Sequence, residues 1–306
     1  MRRETLSLIQ NGYKEAILHE LNYEAPTSLD QAINALAAAG DNGRMLAGGT
    51  DLIIQMRAGV KQPGQVIDAK KIPELQVLSF DAKNGLRLGA ALACCKVIED
   101  GAIQEKYPGL VEAAGLIGSD QVLARASVGG NLCNGSPAAD TTPALIALGA
   151  MCHIAGPNGS KDVPADEFVT GPGQTVLQAN EILVEFRIPA PEGNTADCYQ
   201  RFIPRNEMDI AVVGVGSCIT LDGETCTAAR IGLGAVAATP LYAKDAAQSL
   251  VGKALDDASI ENAAALAQEM ATPISDMRGT AEHRTHLVGV LTRRTLREAA
   301  ERARAR

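Results

Sequence analysis

The chain has 306 residues, of which 46% are hydrophobic and 21% are charged, and its formal net charge at pH 7 is −8. This composition is that of a globular protein rather than a disordered one, and the negative charge argues against a nonspecific nucleic-acid binder, which has to neutralise phosphates. The seven cysteines include no C-x-x-C pair, which argues against a disulfide framework and against a zinc or iron–sulfur site held within this chain.

The N-terminal region begins with a polar segment. Residues 1 to about 20 indicate a helical or frayed extension. No apolar segment follows the twin arginine near the start, and no run of about 18 apolar residues occurs anywhere, so we expect a cytoplasmic protein. A helix is predicted over "TSLDQAINALAAAG", where Ser28 and Gln31 can cap its start and Gly40 ends it.

The next elements alternate between strand and helix patterns. "RMLA" is predicted to be a strand, "LIIQMRAG" the start of a helix and "QVIDA" a strand. "LQVLSF" and "LRLGAAL" are predicted to form a hairpin through Asn84-Gly85. Two helical patterns, "CCKVIEDGAIQE" and "GLVEAAGLIG", then lead into a glycine-rich loop at residues 124–140.

After that loop, "TTPALIALGA" is predicted to be a helix with Pro143 in its first turn. "MCHIAG" and "EILVEFRIP" are predicted to be strands, and residues of the latter alternate in the manner of a half-buried strand. "PAPEGNTAD", residues 189–197, is the best linker candidate because its composition turns to proline, glycine and small polar residues.

Beyond the linker, three strands are followed by three helices. The strands are predicted over "CYQRF", "DIAVVGVGSCITL" and "TAARIGLGAVA", as an antiparallel set. The helices are predicted over "PLYAKDAAQSLVG", "SIENAAALAQEMA" and "AEHRTHLVGVLTRRTLREAAERA". This order indicates an α+β domain.

The sequence "AGGTD" lies between the first strand and helix of this series. A backbone N–H reaches a phosphate only where no Cβ blocks the approach, and Gly48 and Gly49 meet that need. Thr50 adds a hydroxyl donor, and the start of the following helix adds a positive dipole end. A carboxylate is unfavourable beside a phosphate, so we expect Asp51 to organise the turn through main-chain hydrogen bonds. A purely structural turn remains the alternative.

A second pair of glycines occurs in "ARASVGGNLCNGSPAAD", residues 124–140. Ser127, Gly129, Gly130 and Asn131 offer further donors, so the two glycine pairs predict one extended phosphate-bearing ligand held from two sides. Asp140 suits a polyol hydroxyl such as those of ribitol, and it equally suits the N-cap of the next helix. The sequence contains no P-loop motif and no G-x-G-x-x-G between a strand and a helix, which disfavours those two nucleotide folds.

Neither a catalytic nucleophile nor a metal site is predicted. Ser136 lacks the G-x-S-x-G elbow. His283 and His286 share a helix face but have no third ligand, so we expect them to be surface residues.

Several of these motifs occur together in one known family. In chain order they are "LAGGTDL", "SVGGNL", "SPAADTTPALIALGA", "EILVEFRIP", "YQRF", "MDIAVVGVG" and "IGLGAVAATP". From about His19 to Arg302 the chain resembles the FAD-binding medium subunit of molybdenum hydroxylases, the xanthine dehydrogenase and carbon monoxide dehydrogenase family. Relatives usually have a threonine where this chain has Ser127 and an isoleucine where it has Val128.

The resemblance implies an α+β fold. A two-part FAD-binding domain of the vanillyl-alcohol-oxidase/MurB-like type would be followed by a C-terminal domain with a three-stranded antiparallel sheet and a helix bundle. The implied divisions are an extension over residues 1–16, an FAD-binding domain over 17–192 and a C-terminal domain over 193–306. The FAD-binding domain would divide into subdomains of about 17–75 and 76–192.

The resemblance also implies a set of FAD-binding residues. The first glycine segment would bind the pyrophosphate through Ala47, Gly48, Gly49, Thr50, Asp51 and Leu52. The second would grip the diphosphate and flavin side through Ser127, Val128, Gly129, Gly130 and Asn131. Asp140 would hold ribityl or nearby hydroxyls, Leu183 would pack near the isoalloxazine, and Arg201 would lie close to the flavin. Noncovalent binding is expected because neither residues 47–52 nor residues 127–131 include a histidine or cysteine, Cys133 lying just past the second set.

The implied function is electron transfer within a larger complex. A large molybdopterin-binding subunit would hydroxylate the substrate, and a small subunit with [2Fe–2S] clusters would pass electrons to FAD on this chain. FAD would then deliver them to an external acceptor, and the complex would be a dimer of heterotrimers. Two alternatives remain, a free-standing flavin-dependent oxidoreductase and a noncatalytic assembly subunit.

Overall fold

The computed structural model describes residues 21–206 and 208–306 of the chain. The extension predicted at the N-terminus lies outside the described residues. The strands are β1 Asn22–Glu24, β2 Gly43–Leu46, β3 Gln65–Asp68, β4 Leu78–Asp81, β5 Gly85–Gly89, β6 Met151–Gly156, β7 Gly159–Pro164, β8 Val169–Gly171, β9 Gln174–Thr175, β10 Ile182–Ile188, β11 Asn194–Phe202, β12 Val213–Asp222, β13 Thr225–Gly234 and β14 Leu241–Tyr242. The α-helices are α1 Leu29–Ala39, α2 Leu52–Arg57, α3 Cys94–Glu99, α4 Gly101–Lys106, α5 Pro108–Gly115, α6 Asp120–Leu123, α7 Val128–Cys133, α8 Thr141–Ala147, α9 Ala165–Phe168, α10 Lys244–Gln248, α11 Asp257–Met270 and α12 Ala281–Arg304.

The first sheet has three parallel strands in the order β1-β3-β2. The helix predicted before β2 is confirmed, because the Ser28 hydroxyl accepts a hydrogen bond from the Gln31 amide and α1 ends at Gly40. Leu46 at the end of β2 pairs with Asp68 at the end of β3. The segments that follow these two strands therefore start side by side at one edge of the sheet.

The second sheet has the order β4-β5-β10-β6-β7, with every neighbouring pair antiparallel. The predicted hairpin through Asn84-Gly85 is confirmed. The alternation predicted for β10 is wrong, since only Arg187 in this strand is exposed. Leu183 and Phe186 belong to one hydrophobic cluster and Val184 to another. Both faces of this central strand are thus covered.

One of the predicted helices between the sheets is divided in two. "CCKVIEDGAIQE" forms α3 and α4, separated at Asp100, which adopts an extended conformation. Its carboxylate accepts hydrogen bonds from the amides of Ala102 and Ile103, both at 3.0 Å. Asp100 is therefore the N-cap of a new helix, and the local capping chemistry overrides the continuous apolar periodicity.

The C-terminal half is an antiparallel sheet, β11-β12-β13-β14, covered by helices. It has four strands where three were expected, because Leu241 and Tyr242, predicted to open a helix, pair with β13. The helix α10 begins only at Lys244. Helix α12 packs on this sheet, and its Thr295 hydroxyl lies 2.7 Å from the Ser217 hydroxyl of β12. No helix in the described ranges has the length and apolar content to span a membrane.

Side chains from α5, β11 and α12 connect the two halves of the chain. The Arg302 guanidinium of α12 contacts Glu112 of α5 and donates to the backbone carbonyl of Asp197 in β11 at 2.9 Å. The Glu112 carboxylate also accepts a hydrogen bond from the Tyr199 amide at 2.8 Å. The buried Asp197 carboxylate accepts one from the Leu110 amide at 3.2 Å. The halves therefore meet through a network of charged groups as well as through apolar packing.

Candidate functional site

The two glycine pairs meet at one cleft, which has a volume of about 680 Å³. Segments after β2, after β5, around α7 and before β10 form its walls. Predicted site residues in its lining are Ala47, Gly48, Gly49, Thr50, Asp51, Leu52, Ser127, Gly129, Gly130, Asn131 and Leu183. Val128, Asp140 and Arg201 are absent from the lining. A volume in the range of 300–1,000 Å³ is typical of clefts that bind organic ligands.

The first glycine pair lies between β2 and α2, as predicted. The second segment passes so close to Gly48 that a Cβ at this position would lie 2.4 Å from the Arg125 carbonyl oxygen. It would also lie 2.8 Å from the Ala126 Cα. Gly48 is therefore required by contact between two chain segments, a reason that the sequence analysis did not include beside phosphate access and a structural turn.

The second glycine pair is helical, so the loop predicted there is wrong. Ser127 caps α7, and its hydroxyl oxygen accepts a hydrogen bond from the Gly130 amide at 3.0 Å. A Cβ at Gly129 would lie 2.4 Å from the Ala90 carbonyl oxygen. At Gly130 its nearest neighbours would be the Ser127 Oγ at 3.1 Å and the Ala47 Cβ at 3.8 Å. A Cβ at Gly129 would thus meet backbone, whereas a Cβ at Gly130 would meet only side-chain atoms.

Several backbone amides at the cleft lack an acceptor among the described residues. In the first segment these are the amides of Gly48, Gly49 and Thr50. In the second it is the amide of Gly129, in the first turn of α7; the Val128 amide before it also has no acceptor among the described residues, although Val128 is outside the lining. Such amides are a general means of binding phosphate oxygens, so the two segments fit the diphosphate of a dinucleotide.

A side-chain hydrogen bond joins the two segments within the cleft. The Gln55 Nε2 of α2 donates to the Asn134 Oδ1, which directly follows α7, at 2.9 Å. Both residues line the cleft, as do the cations Arg44 and Lys61. None of these four was singled out from the sequence, although Asn134 lies in the second quoted glycine-rich stretch. Their types are common on surfaces, and only the fold places them together.

Three further lining residues differ in their local bonding. Asp51 precedes α2 but makes no side-chain hydrogen bond to a described residue, so the turn role predicted for it is not found. The Asn131 Oδ1 accepts hydrogen bonds from both the amide and the hydroxyl of Thr141. Burial raises the pKa of the Cys133 thiol to about 12, which keeps it protonated and weakly nucleophilic at neutral pH.

Asp140 and Arg201 form an ion pair behind the cleft. The Asp140 Oδ2 lies 2.8 Å from the Arg201 Nη1, and its Oδ1 accepts a hydrogen bond from the Tyr199 hydroxyl at 2.9 Å. Burial raises the pKa of Asp140, and the charge of Arg201 and the hydrogen bond from Tyr199 oppose that shift. The Asp140 side chain does not cap α8. The two predicted site residues are thus bound to each other in the structure.

Two family profiles match this sequence. The profile described as the FAD binding domain in molybdopterin dehydrogenase matches residues 19–191. The profile described as the CO dehydrogenase flavoprotein C-terminal domain matches residues 199–299.

Individual relatives align over nearly their full lengths. The carbon monoxide dehydrogenase medium chain of Afipia carboxidovorans is 34% identical over 285 residues, which cover 93% of this chain and 97% of the relative. The xanthine dehydrogenase FAD-binding subunit of Escherichia coli O157:H7 is 31% identical over 285 residues, which cover 92% and 97%.

Solved structures share the fold. Carbon monoxide dehydrogenase from Hydrogenophaga pseudoflava aligns with a TM-score of 0.88 at 34% identity, covering 92% of this chain and 98% of that chain. Quinoline 2-oxidoreductase from Pseudomonas putida 86 aligns with a TM-score of 0.84 at 31% identity, with the same coverages of 92% and 98%. The chain therefore belongs to the FAD-binding medium subunits of the molybdenum hydroxylases, the carbon monoxide dehydrogenase and xanthine dehydrogenase family, and is a flavoprotein subunit of an oxidoreductase.

Proposed function

We propose that this chain binds FAD noncovalently in the cleft between its two glycine segments and acts as the electron-transfer subunit of a molybdenum-containing hydroxylase. Electrons would arrive from [2Fe–2S] clusters of a partner subunit and leave to an external acceptor. The observation that carries the proposal is the convergence of two sets of free backbone amides on one cleft of about 680 Å³.

The residues of the chain have separate tasks in this proposal. The amides of Gly48, Gly49 and Thr50 on one side, and of Val128 and Gly129 on the other, would hold the diphosphate. The nearly buried Leu183 in the cleft wall would offer an apolar surface to the flavin ring. Bound FAD supplies the redox chemistry, and the protein supplies its position, its polarity and its exposure to solvent.

The ion pair of Asp140 and Arg201 lies outside the cleft lining but is connected to the wall that contains Asn131. Asp140 directly precedes Thr141, which donates two hydrogen bonds to the Asn131 side chain in the cleft. We propose that Asp140 and Arg201 act on the ribityl and flavin parts of the cofactor from this layer. Their side chains are largely buried, so their charges are weakly screened.

The proposal extends to fold type, partners and location. The two sheets that flank the cleft support an FAD-binding fold of the vanillyl-alcohol-oxidase/MurB-like type, divided near residues 75 and 192. Relatives are named medium chains of carbon monoxide dehydrogenase, and the structure from Hydrogenophaga pseudoflava is described as lacking the Mo-pyranopterin moiety of its molybdenum cofactor. We therefore propose a molybdopterin-binding large subunit and a [2Fe–2S] small subunit as partners, in a cytoplasmic dimer of heterotrimers.

The cofactor assignment is tested by titrating the purified full chain, stripped of flavin, with FAD. We expect one FAD per chain, with flavin absorbance that survives gel filtration and is released by denaturation. Absence of bound flavin after FAD addition would contradict the proposal and favour a noncatalytic assembly subunit.

The assignment to a complex is tested by purification from the native cell, with identification of the accompanying polypeptides and analysis for Mo and Fe. Two partner subunits, Mo and Fe are expected. A chain that purifies alone and turns over a substrate without partners would instead be a free-standing oxidoreductase.

A further inference from the structure

Lys70 lies at the junction of the segments that form the cleft, although it is not in the cleft lining. It follows β3 at the same sheet edge from which the first glycine pair leaves β2. Its ammonium donates to the carbonyl oxygen of Ala91 at 2.7 Å and to that of Arg125 at 3.1 Å. These two acceptors are far apart in sequence, so Lys70 connects three separate parts of the chain.

Both carbonyls lie at or next to the positions where the backbone packs most closely against a glycine of the cleft wall. The Arg125 carbonyl oxygen is the atom that a Cβ at Gly48 would meet at 2.4 Å. Ala91 follows Ala90, whose carbonyl oxygen a Cβ at Gly129 would meet at the same distance of 2.4 Å. The Lys70 ammonium is therefore bound to the two backbone stretches against which the two glycine pairs pack.

The start of the Lys70 side chain is itself fixed. The Asp68 Oδ1 accepts a hydrogen bond from the Lys70 amide at 2.7 Å, and the Asp68 Oδ2 accepts one from the Tyr23 hydroxyl at 2.6 Å. Asp68 ends the central strand of the first sheet and is largely buried. This chain of hydrogen bonds anchors the Lys70 backbone to the end of the first sheet.

We propose that Lys70 is a positioning residue for FAD, an inference that rests on the proposed function. Its ammonium holds the Arg125 and Ala91 carbonyls, and so keeps the free amides of both glycine segments at the spacing that one diphosphate needs. Its positive charge also adds to the attraction of the cleft for an anion. Without Lys70 the second segment loses its charged link to the first sheet while the remaining packing is preserved.

The test compares FAD affinities of the flavin-stripped full chain with Lys70→Met, Lys70→Arg and the matched control Lys71→Met. Hydrogen bonds to a charged group contribute about 1.5–3 kcal/mol, so Lys70→Met is expected to weaken FAD binding about 10- to 100-fold. Lys70→Arg keeps the charge and two donors and should recover most of that loss. Lys71, whose side chain is exposed, should be neutral when replaced.

The outcomes separate this inference from the cofactor assignment. If the wild-type chain binds FAD and folded Lys70→Met binds it within twofold as tightly, the positioning role is wrong and the proposed function stands. If the wild-type chain binds no FAD, both fail. If Lys70→Met does not fold, Tyr23→Phe decides, because Tyr23 is mostly exposed and, among the described residues, its hydroxyl donates to Asp68 alone. A loss of about two- to fivefold in that variant supports the role, and unchanged affinity contradicts it.

Discussion

At the scale of single residues, the glycines of the two pairs look alike in the sequence but have different surroundings in the structure. Gly48 and Gly129 lie where one backbone crosses another, since added Cβ atoms would be 2.4 Å from carbonyl oxygens. Gly130 lines the cleft, and an added Cβ there would meet only side-chain atoms, the nearest being the Ser127 Oγ at 3.1 Å. Chain packing therefore requires the first two, whereas no contact with another backbone segment requires the third.

This difference predicts that two alanine variants will differ in which property they change, the stability of the chain or its affinity for FAD. Gly48→Ala forces backbone atoms apart and is expected to lower the free energy of unfolding by about 1–3 kcal/mol, with loss of FAD binding as a consequence. Gly130→Ala is expected to leave the thermal midpoint nearly unchanged and to weaken FAD binding at least tenfold, since its methyl group occupies space at the phosphate. Thermal unfolding of the flavin-free chain and FAD titration measure the two effects.

Gly101→Ala is the control for these variants, because its added Cβ would have no neighbour within 4 Å and lies in a helix. It should be neutral or slightly stabilising. Equal destabilisation by Gly48→Ala and Gly130→Ala would contradict the distinction between the two positions.

At the scale of elements, α7 depends on the hydrogen bond from its N-cap, Ser127, more than on the helix propensity of its residues. It contains two glycines within six residues, and glycine disfavours helix by about 1 kcal/mol each. The Ser127 hydroxyl compensates for this cost because it accepts a hydrogen bond from the Gly130 amide. Ser127 is almost fully buried. The loop predicted in this region is wrong because the Ser127 cap stabilises a helix that the glycine content disfavours.

Removal of this cap is therefore expected to affect both stability and binding. Ser127→Ala should destabilise the flavin-free chain by about 1 kcal/mol and weaken FAD binding about fivefold or more, because the amides of α7 lose their fixed direction. Ser127→Thr keeps the hydroxyl and should behave like the wild type. Differential scanning calorimetry and FAD titration provide the comparison. A Ser127→Ala chain with wild-type affinity would show that α7 does not position the cofactor.

At the scale of the whole molecule, charged groups at the contact between the halves make stability depend on pH. Burial, with the neighbouring charge of Glu112, raises the pKa of Asp197 from 3.8 to about 7. The unfolded chain loses this proton near the ordinary pKa, whereas the folded chain keeps it to about 7. Between these values the folded state binds more protons, so this group favours folding at low pH and its contribution is lost as the pH rises to about 7.

Asp197→Asn should remove this dependence. At pH 3, below the ordinary pKa, the variant and the wild type should differ little, and at pH 8 the variant should be the more stable by up to about 4 kcal/mol, since each pKa unit corresponds to about 1.4 kcal/mol. Denaturant unfolding across this pH range measures the difference. Asp222→Asn, at the exposed end of β12, is the control. A stability difference that does not grow with pH would contradict the assignment to Asp197.

Elements with strong local signals could be predicted from the sequence. The cap of α1, the Asn84-Gly85 hairpin and the order of β2, glycine pair and α2 follow from interactions within a few residues. The division of a predicted helix at Asp100 also depends on local capping, which the continuous apolar periodicity of that segment conceals. The two-faced burial of β10 and the pairing of β14 were not predictable in this way, because both depend on distant segments.

For the candidate site, the sequence by itself determined which residues could bind a phosphate, since only glycine leaves the backbone open and only certain side chains donate. The family resemblance, confirmed by the comparisons, added the cofactor. The tertiary structure alone decided that Gly48 lies against Arg125, that Gln55 reaches Asn134, and that Lys70 joins the walls. Each of these is a contact between residues that are distant in sequence. Such contacts arise from the packing of whole sheets and helices, and no local pattern encodes them.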